Sequence, residues 1–283
     1  MTRWAVLLAL LLPGQAVAHE IEAGLTFDPW VILPWQLSGW LFVLGVLRLW
    51  RRAGAGRGIG WRHVAYFAAG WVGLALALIS PLYQAGEQLF TAHMVEHEII
   101  MAAAAPLLVL GRPIGAFAWA LPARARPLFG RWSRRFMLTP LPATILHGVA
   151  IWAWHAPVLF DAAVASVAMH RLQHVSFLLT ALAFWWALLR RCDRGVAVLH
   201  LFATMVHTTL LGALLVVAPR VLYLRQTQDS AAWGLSPLHD QQLAGLVMWV
   251  PAGTVYAGAA LALAALWIRG SGSARRYGLA TSA

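Results

Sequence analysis

Charge is scarce in this 283-residue chain: 11% of its residues are charged and 61% are apolar. A soluble domain of that length needs far more charge to cover its surface, so the composition excludes an ordinary water-soluble fold and points to a bilayer. Lysine is absent. Every basic residue is an arginine, set in short clusters between apolar runs. That placement excludes reading the net charge of +11 as a nucleic-acid footprint, and no nucleic-acid partner is expected. Cysteine occurs once, as Cys192 among Arg190, Arg191 and Arg194, which excludes an intramolecular disulfide and a thiolate metal site. There is no phosphate-binding loop, nucleophile elbow or Cys/His pair for covalent catalysis, so no enzymatic activity is expected. Internal repeats, heptads and low-complexity tracts are also missing.

What the chain has in quantity is apolar runs. Residues 1–18 read as a cleavable signal peptide, with Arg3, an apolar core from Ala5 to Leu12, and Ala16-Val17-Ala18 as the cleavage site. Seven runs follow, at about 31–50, 63–83, 87–110, 138–159, 167–190, 196–218 and 240–268. Each is long enough to cross roughly 30 Å of hydrocarbon at 1.5 Å per residue. The expected fold is therefore all-α, a polytopic membrane bundle of about seven transmembrane helices over residues 19–269, ahead of a flexible cytoplasmic tail at 270–283. Of the arginines, 17 fall on alternate connections. The positive-inside rule puts those connections in the cytoplasm, leaving the N-terminus outside and the C-terminus inside. The stretch from Gly111 to Met137 is too polar to span and is expected along the inner interface, with Trp119 and Trp132 as anchors.

Eleven histidines are many for so apolar a chain. His93 and His97 form an H-x-x-x-H pair in the third run, and His170 and His174 form another at the start of the fifth. An i, i+4 spacing sets both rings on one helix face, about 5–6 Å apart at Cβ, which suits one shared metal ion. His155 closes the fourth run and His239 opens the seventh at the same level. His207 and His147 lie deeper, and a lone His147 or His200 reads as a hydrogen-bonding helix contact. Met101 shares a helical face with His97, and imidazole with thioether suits copper; zinc would accept histidine with carboxylate, and facing histidines can clamp a haem. Glu96, Glu98 and Asp240 are close enough in sequence to orient the rings from a second shell. Cleavage after Ala18 would expose His19, whose α-amine and imidazole could chelate copper together.

At these residues the chain resembles a known family, the CtaG cytochrome c oxidase assembly factors of the multi-span bacterial type. Three segments carry the resemblance: Ala92-His93-Met94-Val95-Glu96-His97 running to Ala105-Pro106-Leu107-Leu108; Trp154-His155-Ala156-Pro157 with His170-Arg171-Leu172-Gln173-His174; and Asp240-Gln241-Gln242-Leu243-Ala244-Gly245 with Met248-Trp249. The family's motif positions fall here on His93, His97, His155, His170, His174 and Asp240. The resemblance implies a protein of the bacterial inner membrane that helps haem-copper oxidase mature, handling copper at a site facing the periplasm. Its partners would be oxidase subunits, periplasmic copper carriers and the lipid bilayer. Two other readings stay open: a haem-binding or electron-transfer protein, and a copper transporter in which His207 and His147 lead inward.

Overall fold

The computed structural model describes residues 25–135 and 137–280, and among them there is no β-strand. Among the described residues, eleven helices carry the chain. They are α1 (Pro29–Ala53), α2 (Trp61–Leu78), α3 (Pro81–Gln88), α4 (Phe90–Leu110), α5 (Pro113–Ala120), α6 (Arg126–Arg135), α7 (Pro140–Trp154), α8 (Pro157–Ala165), α9 (Val167–Arg190), α10 (Arg194–Val217) and α11 (Pro237–Ala280). Local chemistry sets many of the starts. Asp28 accepts from the Trp30 amide ahead of α1, and Ser80 accepts from that of Leu82 ahead of α3. Both helices, like α5, α7 and α8, open on a proline, whose missing amide hydrogen is an orphan at that position anyway.

Among the described residues, five helices are long and apolar enough to cross a membrane, and two bent pairs bring the number to as many as seven. The expected second span is one such pair. The Ser80-Pro81 cap stops α2, and α3 leaves it at 43°. The expected fourth span is also shorter than its apolar run. α7 has 15 residues and ends at Trp154, with His155 as its C-cap, because Pro157 two residues further on cannot continue the hydrogen-bond ladder. The stretch from Gly111 to Met137 is built of α5, a 3-10 turn at Ala123–Ala125, and α6. Helical backbone continues over 270–280. The expected signal peptide, residues 1–18, lies outside the described residues.

The most enclosed helix is α4, with 61% of its span buried against 17% for α1. It packs against α2, α9 and α11, while α10 lies along α11. The last contact is close: a Cβ on Gly212 would sit 2.7 Å from the Gly245 carbonyl oxygen, and one on Gly245 would sit 2.7 Å from that of Gly212. Small residues let membrane helices approach to this distance. Within α4 the ladder widens to a π-turn at Ile99–Ala104, just before Pro106, whose ring conflicts with the carbonyl four residues back.

Candidate metal centre

Three pieces of chain converge on one buried pocket. From α4 come His93, Glu96 and His97, at i, i+3 and i+4 and hence on one face. From the start of α9 come His170 and His174, and from the α7–α8 junction His155. Ring centroids are 4.3 Å apart for His93–His97, 5.2 Å for His93–His170, 4.4 Å for His170–His174, 5.4 Å for His97–His174 and 6.4 Å for His97–His155. Glu96 is wholly buried in their midst, with Oε2 3.7 Å from His174 Nε2. One ligand atom each from His93, Glu96 and His170 lies within 4.8 Å of the others, a spread that one ion could bridge.

The polar atoms here are unsatisfied. Eight buried atoms on six side chains lack a hydrogen-bond partner: His93 Nε2, both Glu96 oxygens, both His97 nitrogens, and Nε2 of His155, His170 and His174. Buried polar groups are almost always paired, and donor atoms gathered this densely could together hold a cation. The donor set of imidazole and carboxylate suits a divalent transition metal. His155 is already oriented for such a role. Its Nδ1 lies 2.7 Å from the Ile151 carbonyl; an oxygen there can only accept, so Nδ1 carries the hydrogen and Nε2 keeps its lone pair free.

Around the cluster stands a dry wall. Phe177 lies 4.7 Å from His97 and Phe160 5.4 Å from His93, ring to ring. On one side the loop 218–236 closes it in. There the buried Tyr223 hydroxyl donates to the His155 carbonyl, and Gln226 Nε2 donates to that of Gly86 at 2.7 Å. Burial, reinforced by Asp161, pushes the Tyr223 phenol pKa up and keeps that proton in place.

Several candidate residues fall elsewhere. His239 is exposed and makes no ring contact with the cluster; only its backbone is engaged, donating to Ser236 Oγ at 3.3 Å. His207 sits on α10 against α7, its Nδ1 accepting from Trp152 Nε1 at 3.3 Å. His147 meets Thr180 at 3.2 Å and His200 meets Thr144 at 2.9 Å, the helix-to-helix role expected of lone histidines. Met101 lies in the π-turn, where the wider winding takes it out of i, i+4 register with His97, and its carbonyl accepts from Trp185 Nε1. Glu98 is not among the converging ligand atoms and acts electrostatically on Tyr256 of α11. His19 lies outside the described residues.

Asp240 orients a helix rather than a ring. Its carboxylate accepts from the amides of Phe90 and Thr91 at 2.8 and 2.9 Å, and from the hydroxyls of Thr91 and Ser230 at 2.7 Å each. It therefore caps α4 from α11, one turn ahead of His93, and stabilises the positive end of that helix. Two further neighbours were not foreseen. Tyr83 brings its hydroxyl to 3.5 Å from His170 Nδ1, and Gln173 is fully buried with both amide atoms unpartnered. Tyr83 arrives through the α2–α3 bend, which no local pattern announces. Gln173 had a signal, standing one residue before His174 on a membrane helix.

Fold and site together define a polytopic α-helical membrane protein built around a buried imidazole–carboxylate cluster. The chain belongs to the cytochrome c oxidase caa3 assembly factor family (Caa3_CtaG), whose model matches residues 40–270 and so takes in every described member of the cluster. It is 27% identical to an uncharacterized protein of Mycobacterium leprae (strain TN), over 95% of this chain and 43% of that protein. To an uncharacterized protein of Mycobacterium bovis it is 26% identical, over 88% of this chain and 40% of that one. The chain thus spans less than half the length of these curated relatives. No solved structure matches.

Proposed function

We propose that this assembly factor binds copper at the cluster of His93, Glu96, His97, His155, His170 and His174 and hands it to a subunit of cytochrome c oxidase. The observation that carries the reading is the set of eight unpartnered ligand atoms in one buried cluster. Copper is the cargo, and its coordination by imidazole and carboxylate is ordinary chemistry for Cu(II). The arginine-rich connections lie in the cytoplasm, as their bias requires. The cluster then faces the periplasm across the inner membrane, and copper reaches it from a periplasmic carrier without crossing hydrocarbon. Such a factor binds and transfers; it catalyses no bond change.

Zinc is the competing ion, since the converging donors are imidazole and carboxylate. Metal analysis of the detergent-purified full chain tests both, beside a His93→Ala/His97→Ala variant and in cells where oxidase activity is read. The expected result is about one copper per chain, lost in the double variant together with oxidase maturation. A native protein that stays metal-free in excess copper, or a double variant that loads and matures oxidase normally, would overturn the proposal. Zinc retained against copper would replace the cargo.

A further inference from the structure

Beside the cluster, a cavity of about 420 Å³ lies between α1, α2 and α9, within the size range of small-molecule sites. Its walls follow α2 from Phe67 to Leu78 and α9 from Arg171 to Leu182, a run of about 16 Å at 1.5 Å per residue. The polar groups are gathered mainly at one end. There Arg171 pairs with Asp28 at 2.8 Å, and Tyr83 and His174 face the cavity beside them. His174 is 8% exposed, and its Nε2 lies 3.7 Å from Glu96 Oε2 in the cluster. The far end, at Phe67, Leu108 and Phe117, is apolar.

We propose that this cavity holds a membrane quinone, its ring at the His174–Tyr83 end and its prenyl tail along Trp71, Leu178 and Phe117. Three features select that class. The mouth is electrically neutral, because Asp28 cancels Arg171, so a phospholipid phosphate gains no net attraction there. The hydrogen-bonding groups at that end, the Tyr83 hydroxyl and the His174 imidazole, suit the two oxygens of a quinone or quinol. The remaining wall is apolar and rich in flat rings, with Trp35 and Trp71 stacked at 3.7 Å, a surface suited to a planar head and an unsaturated chain. His174 touches both cavity and Glu96, so the ring would rest one imidazole away from the cluster.

The proposal shares His174 with the copper reading, so its test uses metal-free protein. The full chain in detergent is titrated with decylubiquinone while tryptophan fluorescence is followed, since Trp30, Trp35 and Trp71 line the cavity. Expected is saturable quenching that neither oleic acid nor phosphatidylglycerol reverses at equal concentration. A Leu178→Phe/Leu182→Phe variant, which fills the cavity, should weaken binding at least tenfold while melting as the native protein does. Should that variant fail to fold, Tyr83→Phe takes its place, with an expected loss of severalfold. Absence of saturable quenching, displacement by either lipid, or native affinity in the folded variant would overturn the proposal. None of these results would touch metal content, which elemental analysis reads separately.

Discussion

Gly86 and Glu96 meet with no room between them: a Cβ on Gly86 would lie 1.7 Å from Glu96 Oε1. The glycine of α3 is therefore part of the pocket, even though it offers no ligand atom. Its carbonyl is also the anchor for Gln226 of the covering loop.

Gly86→Ala should damage the site more than the fold. The atom in the way is the end of a flexible side chain, so the carboxylate swings aside and the helices stay put. Displacing a group that orients or binds a metal costs about 10–100-fold in affinity. The expected outcome is copper loading reduced by that factor, with a melting temperature within a few degrees of native. Elemental analysis and a thermal melt on the same preparation check it.

Asp240→Asn should behave in the opposite way. The carboxylate accepts four hydrogen bonds between α4, α11 and the covering loop. An amide in its place turns one acceptor into a donor aimed at other donors, and loss of a charged buried acceptor costs about 2–5 kcal/mol. The expected result is a clearly lower melting temperature and yield, with near-native copper per folded chain. A variant of native stability that loses copper would instead make Asp240 a ligand-side residue.

Much of this arrangement is readable along the chain, and the misses share a cause. The pairs His93/His97 and His170/His174 follow from a period that helices obey, and α4 and α9 are indeed helical there. His239 sits at the same end of the bundle, yet its side chain is exposed; sequence gives level along a helix far better than direction around it. Met101 went astray because the π-turn changes the winding after residue 98. Glu96 was expected to orient a ring, yet it stands among the rings, three residues after His93 and one before His97, with Oε2 3.7 Å from His174 Nε2. The break at Ser80-Pro81 carried a cap-and-proline signal and that at Ala156-Pro157 a proline signal, and the hydrophobic runs masked both.

His239→Ala and His207→Ala should both load copper as the native chain does. Neither ring belongs to the cluster: one is exposed, and the other hydrogen-bonds Trp152 at 3.3 Å. His207→Ala should cost about 1 kcal/mol through that lost bond, read as a small drop in melting temperature. Copper loss in either variant would contradict the pocket as described and would revive an inward path.

The covering loop should set how fast metal leaves, not how much is bound. Its hold on the pocket rests on two backbone oxygens, His155 accepting from Tyr223 and Gly86 from Gln226. Tyr223→Phe and Gln226→Leu each remove one donor at nearly constant shape, at about 0.5–1.5 kcal/mol apiece. The two act on one loop, so their effects need not add. Neither change touches an unpartnered ligand atom, and the double variant should bind copper in native amount. Opening of the loop becomes more frequent by the same free energy, and each 1.4 kcal/mol is tenfold in that equilibrium. Release to a strong chelator, followed by stopped-flow absorbance, should therefore quicken by roughly tenfold in the double variant. If release is unchanged while the melting temperature falls, copper leaves by another face, and the side nearest His174 and the α1–α9 cavity becomes the route to examine.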